Sequence, residues 1–161
     1  MEPASERLNM YGAPTTHPRL PWVWVEEQLA AAATYWVVVQ GRTHPHPRPV
    51  WGVWTDQLLH LSIGSPLISR SLSDESELSV HLDSGVDVVI VEGRVIGRTE
   101  TGRVLRAYDE KYDWTYAVDE YGPLTTIAPS TVLAWRCTGW AGRDGFQQTG
   151  RWRFGNPPHR M

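Results

Sequence analysis

Short runs of β-branched and aromatic residues recur along this chain, interrupted by only a few isolated helical segments. That arrangement constrains the fold more than any other feature. A parallel sheet needs a crossover, usually a helix, between successive strands, and such alternation is nearly missing. Tyr35 to Gln40 (YWVVVQ) reads as a strand. Arg48 to Trp54 (RPVWGVW) and Gln57 to Ser62 (QLLHLS) bracket Thr55-Asp56 as a hairpin-like pair. Glu77 to Leu82 and Val86 to Gly97 follow, joined by Asp83-Ser84-Gly85, with Gly93 as a kink point in the longer strand. Leu124 to Ile127 and Thr131 to Thr138 close the series. The expectation is a mainly β fold with a few helices, its antiparallel sheet closed on itself.

Proline and serine punctuate this pattern. Pro45, Pro47 and Pro49 cannot all donate ladder hydrogen bonds, so the strand they open is an edge or a bulged lip. Pro21 opens a first helix, PWVWVEEQLAAAA. Ser65 is the expected N-cap of a second, LISRSL, with Pro66 at its first position. A third runs from Gly102 to Asp113 behind Thr101, carrying Leu105, Tyr108 and Tyr112 on one face. Residues 1–18 read as a flexible arm, 19–154 as one domain, 139–145 as a loop within it, and 155–161 as a flexible tail.

Composition narrows the function classes. A net charge of −3 gives no attraction to nucleic acid or to an anionic membrane surface. No apolar run approaches the roughly 18 residues of a spanning helix, and MEPASERLNMYG lacks a signal-peptide pattern. Cys137 is the single cysteine, which fits a reducing compartment and a cytoplasmic location. Nine tryptophans are many for 161 residues, and each must be buried or stacked against something flat. Lys111 is the only lysine, so Arg side chains supply nearly all the positive charge.

Motifs for the commonest chemistries are missing: no P-loop lysine, dinucleotide-binding glycine fingerprint, nucleophile elbow or zinc spacing. His44 and His46 share a strand face, but with His60 they lack the carboxylates or cysteines of a coordination sphere, so no metal is expected. Cys137 and His81 read as ordinary strand residues.

Seven pieces arrive in a familiar order: YWVVVQ; RPVWGVW with LLHLS; LISRSL; SVHLDSGVDVVIVEGRV; AYDEKYDW; GPLTTIAPSTVLAW; and RWRF. Over residues 22–154 the chain resembles the pyridoxamine 5′-phosphate oxidase-like split barrels, in particular the branch with deazaflavin-dependent reductases. The resemblance implies a six-stranded antiparallel split β-barrel, a homodimer, and a cofactor at the subunit interface, either the deazaflavin coenzyme F-420 or FMN. It implies hydride transfer to a small conjugated or heteroaromatic substrate, with no acid, base or nucleophile required of the protein. The alternative is a dimeric barrel that holds a cofactor, haem or tetrapyrrole without catalysis.

The resemblance also assigns residues. Pro49, Val50 and Trp51 contact the ring edge, with Trp51 or Trp54 as a wall. The junction Ser62, Gly64, Ser65, Ser69 and Arg70 takes the phosphate or the coenzyme tail, with Arg48 as a second cation. Arg151 and Trp152 belong to a segment that reaches the partner's site. Lys111, Tyr112, Trp114 and Tyr116 flank the pocket mouth, although Tyr108, Tyr112 and Trp114 serve equally well to pack their helix onto the barrel. Ile68 stands where FMN-holding members commonly carry a lysine. That departure favours the deazaflavin over FMN, and it is also the feature that favours the non-catalytic alternative.

Overall fold

Strict alternation along β2 (Tyr35–Gln40) buries Tyr35, Val37 and Val39 and leaves Trp36 and Val38 half-exposed on the other face. The same period runs through β5 (Glu77–His81), β6 (Asp87–Thr99) and the second half of β7 (Leu124–Cys137), so Val80, Val91 and Val132 meet in one core. The computed structural model describes residues 2–8, 18–137 and 146–155. The remaining strands are β1 (Ala4–Glu6), β3 (Pro45–Thr55), β4 (Leu58–Ser62) and β8 (Phe146–Arg153). The helices are α1 (Trp22–Ala31), α2 (Pro66–Ser71), α3 (Gly102–Tyr112) and α4 (Val118–Tyr121). None is long and apolar enough to cross a membrane among the described residues.

Six strands close a ring in the order β7-β4-β3-β2-β5-β6, with β6 returning to β7, and β8 and β1 continue the sheet outward from β7. Two strands change partners along their length. Residues 45–50 of β3 pair with β2, and residues 51–55 pair with β4. Residues 125–127 of β7 pair with β4, and residues 131–137 pair with β8. The barrel is therefore split where β3 leaves β2.

The prolines of β3 follow from this exchange. Pro45, Pro47 and Pro49 lie opposite Gln40, Val38 and Trp36, and a residue without an N–H can hold only the non-hydrogen-bonded sites of a ladder. Their backbones turn away from β2, toward the side that β4 reaches only at Trp51. The first half of β3 is thus an edge on one side and paired on the other.

Several expectations are corrected. The hairpin turn falls on Asp56 and Gln57, both left-handed at φ 54° and 59°, one residue later than Thr55-Asp56. That conformation suits a two-residue hairpin, but neither residue is the Asn-Gly pair that would announce it. Leu124–Ile127 and Thr131–Thr138 are not two strands but one 14-residue strand. It stays continuous because Ser130 is an extra residue between the pairs Gly93–Pro129 and Glu92–Thr131, and the bulge accommodates Pro129. Ser65 and Thr101 occupy N-cap positions without a side-chain cap hydrogen bond. Within the stretch read as a loose arm, Ala4–Glu6 pairs with Arg151–Arg153, and Glu6 meets both arginines. Residues 9–17, 139–145 and 156–161 of the expected arm, loop and tail lie outside the described residues.

Gly93 lies at a register shift between β6 and β7. A Cβ there would lie 2.6 Å from the Ala128 carbonyl oxygen, closer than any side chain tolerates. Gly150 serves a different purpose, because the Trp152 ring folds over it and would stand 2.2 Å from a Cβ. Trp152, fully buried, packs with Trp22 at 5.4 Å between ring centroids, and Trp22 meets Phe154 and Trp54 edge-on.

His60 is buried on β4, its Nδ1 3.1 Å from Thr126 Oγ1, and burial lowers its pKa from 6.5 to about 4. In the unfolded chain it takes a proton near pH 6.5, whereas in the fold it stays neutral. Its contribution to stability is present above 6.5 and is lost as the pH falls toward 4. Chemical denaturation should therefore record a loss of about 2 kcal/mol between pH 7.5 and pH 5. His60→Gln should flatten that interval, and an unchanged profile would refute the assignment.

Candidate functional site

The split in the barrel creates the site. Beyond Val50, β3 has no β2 neighbour, so the N–H and C=O of Gly52 face the gap. The C-terminal end of α3 fills it. Tyr112 Oη accepts the Gly52 N–H at 3.0 Å and lies 2.9 Å from the Gly52 carbonyl and 3.0 Å from the Ala33 carbonyl. Lys111 Nζ donates to the Gly52 carbonyl and to Tyr35 Oη, both at 2.9 Å. Side chains thus continue the ladder that β2 abandons. Burial lowers the Lys111 pKa to about 8 and raises that of Tyr35. The ammonium also sits over the Tyr35 ring, 4.6 Å from its centroid.

Tyr112, so fixed, forms the back of an aromatic wall. Trp51 stacks on it at 4.8 Å with an interplanar angle of 8°, and Trp114 meets Trp51 edge-on at 6.3 Å. Asp113, left-handed at φ 48°, ends α3 and turns the chain back. Asp109 Oδ1 then accepts the Tyr116 N–H at 2.7 Å. This return brings Tyr116 against Tyr108 at 4.9 Å, and Tyr121 follows at 5.7 Å from Tyr116.

Between these rings and the β3–β4 edge lies a groove of about 490 Å³. Arg48, Pro49, Val50 and Trp51 line one side, and Ser62, Gly64 and Ser65 line another. Tyr108, Trp114, Tyr116 and Tyr121 complete it. Trp51 and Trp114 are each 47% exposed, whereas Trp22 and Trp152 are buried in the core. Ser62 Oγ lies 3.3 Å from Tyr116 Oη, which donates to the Gly122 carbonyl. Burial pushes the Tyr108 pKa up to about 12, so its hydroxyl stays protonated. The hydrogen bond with Glu120 raises that of Tyr121. Arg48 is the one charged residue lining the groove among the described residues. Its guanidinium donates to the Pro47 carbonyl at 2.8 Å and forms no ion pair among the described residues. The groove can therefore lay a flat, apolar ring against its aromatic lining and hold a negative or carbonyl group at one end.

No family model matches the sequence, and no curated protein matches it either. Solved structures do resemble it. The FAD binding protein from Mycobacterium smegmatis superposes with a TM-score of 0.55 at 15% identity, over 86% of this chain and 100% of that one. An F-420 reductase gives 0.53 at 14% identity, over 66% and 94%. The FAD and heme binding protein from Mycobacterium smegmatis gives 0.52 at 16% identity, over 87% and 75%. The chain has the split-barrel fold.

The groove of this split barrel gathers eight of the residues assigned from sequence: Arg48, Pro49, Val50, Trp51, Ser62, Gly64, Ser65 and Trp114. Tyr116, also expected at the mouth, lines it too. Tyr112 stands behind Trp51, and Lys111 supports both from the core side.

Other assigned residues are not brought to the groove. Ser69 and Arg70 are exposed on α2 but do not line it, and Arg70 Nε returns to the Pro66 carbonyl. Trp54 packs toward Trp22 instead of forming a wall. Trp152 is a core residue of its own barrel, and Arg151 is tied to Glu6. Ile68 is completely buried in the core, so its position does not face the groove, and the missing charge there says nothing about phosphate. Tyr108 and Tyr121 were missed as lining residues. Tyr108 was visible only as a helix-packing residue, and Tyr121 carries no periodic signal that could have found it.

Proposed function

We propose that the groove takes the planar ring of a flavin-type cofactor, coenzyme F-420 or FMN, and that the protein is an oxidoreductase acting on a small conjugated or heteroaromatic substrate. The aromatic groove beside Arg48 carries this reading, because ring walls and a lone guanidinium are what a flat anionic cofactor requires. An FAD binding protein and an F-420 reductase are among the solved structures of similar fold, which supports the same class. Such a cofactor, when bound, supplies the hydride itself. The chain's own residues orient the ring against Trp51 and Trp114, exclude water with Tyr108 and Tyr116, and hold a polar group at Arg48.

A homodimer belongs to this proposal. Trp36, Val38, Val88, Ile90, Leu133 and Trp135 lie half-exposed on the outer face of β2, β6 and β7, linked through the ladder by His81 of β5. A contiguous apolar sheet face of this kind suits a second copy of the chain. The second reading, a non-catalytic holder of haem or another tetrapyrrole, is favoured by the similarity to the FAD and heme binding protein. Ile68 no longer supports it, being a core residue.

Fluorescence quenching with F-420, FMN and haem, measured side by side, tests the proposal. Micromolar binding of F-420 or FMN, weakened about tenfold by Arg48→Ala, is expected. Haem binding alone would favour the second reading, and binding of none would overturn both.

A further inference from the structure

Lys111 is the only lysine of the chain, and it stands behind the aromatic wall, outside the groove lining. A guanidinium keeps its proton at every accessible pH, whereas an ammonium can lose it. Nζ reaches two acceptors, the Gly52 carbonyl of β3 and Tyr35 Oη of β2, both at 2.9 Å. Tyr35 directs its own proton to the Leu29 carbonyl, so its oxygen accepts from the lysine. The ammonium also lies over the Tyr35 and Tyr112 rings, 4.6 and 5.2 Å from their centroids. Those two tyrosines are the titratable groups that face it, and burial raises the pKa of both. β3 presents the Gly52 carbonyl, and the Ala33 carbonyl beyond α1 goes to Tyr112 instead. Asp109, on the same helix, is bonded to the Tyr116 N–H. No carboxylate forms an ion pair with Lys111 among the described residues. Desolvation is accordingly what lowers its pKa from 10.5 to about 8.

We propose that Lys111 is a positioning residue: its ammonium grips Gly52 and the face of Tyr112, sets the plane of Trp51, and on losing its proton loosens that wall and weakens ring binding. The inference rests on the reading of the groove as a flat-ring site and adds a proton-linked control to it. Gly52 follows Trp51 in β3, and Tyr112 is the ring on which Trp51 stacks, so both supports of the indole meet at Lys111. The neutral amine keeps two N–H donors, but it lacks the charge that strengthens the bond to Gly52 and holds the two rings. The wall is therefore firm below about pH 8 and slack above it. Folding responds with the opposite sign. The unfolded chain keeps this proton up to 10.5, so Lys111 adds stability as the pH rises from about 8 toward 10.5. A loss of affinity over that interval is thus separable from unfolding.

Lumiflavin is the probe, because it is a neutral flat ring without a phosphate, and direct attraction to a cation adds nothing to its affinity. Tryptophan quenching on the whole protein should show that affinity falling about three- to tenfold between about pH 6.5 and 9, with a midpoint near 8. Lys111→Met should bind at the weaker level throughout, and Lys111→Arg, permanently charged, should also lose the midpoint. Near-ultraviolet circular dichroism of the ligand-free protein gives a second readout. The Trp51–Tyr112 stack should change with the same midpoint and stay constant in both variants. A flat profile in the unaltered protein, or a midpoint that survives in Lys111→Met, would overturn the inference while leaving the flat-ring site standing. A fall seen with FMN but not with lumiflavin would make Lys111 a distant counter-charge and overturn the positioning role. No lumiflavin binding at either pH would overturn the site itself and the inference with it.

Discussion

Trp152→Ala should lower the free energy of unfolding by about 3–5 kcal/mol, the largest loss expected from any single truncation in this protein. The side chain is 1% exposed and fills the barrel between Gly150, beneath its ring, and Trp22, 5.4 Å away. Neither neighbour can collapse into the space. Gly150 has no side chain, and Trp22 is held from its other sides by Trp54 and Phe154. The indole Nε1 of Trp152 is buried without a hydrogen-bond partner, so nothing polar is lost when it goes. Trp152→Phe keeps a ring over Gly150 and removes that unsatisfied donor, and it should cost only about 1 kcal/mol. Thermal or urea unfolding of the two variants checks the pair. Similar losses in both would show that ring volume is not what the barrel needs from this position.

Trp51→Ala should act on binding instead of folding. Trp51 is 47% exposed and contacts its neighbours chiefly through the Tyr112 stack, so truncation should cost no more than about 1.5 kcal/mol of stability. A ligand ring lying against it would lose that aromatic contact, and affinity for the better of F-420 and FMN should fall about 10- to 100-fold. Far-ultraviolet circular dichroism should remain unchanged beside the weakened quenching titration. Unaltered affinity in a folded variant would place the ligand elsewhere.

The two tryptophans also mark how far a local reading of sequence reaches. Trp51 lies in RPVWGVW, where the prolines mark an edge and the resemblance names Trp51 or Trp54 as a ring wall, and of the two it is Trp51 that lines the groove. Trp152 lies in RWRF, where the resemblance assigned it to a cofactor site, and it is instead part of the core. A four-residue segment cannot declare which of its faces is inside. Only the pairing of β8 with β7, which places Trp152 opposite Val132, settles that. Ile68 behaves likewise. Its position in a short helix suggested a missing phosphate ligand, but the docking of α2 turns the side chain inward.

Local sequence determined the elements: β2 from its period of two, the edge character of β3 from three alternating prolines, and the extent of α3 from its apolar face. These are set by steric and hydrogen-bonding limits within a few residues. The tertiary structure decided what those elements share. It joined the last two predicted strands through the bulge at Ser130, and it let Tyr112 and Lys111 take over the ladder where β2 ends. It also folded Tyr116 and Tyr121 back over Trp51's side of the barrel. Each of these depends on contacts between residues 38 to 76 positions apart or on a reversal of the chain, and no local pattern encodes which distant partner a backbone group will find.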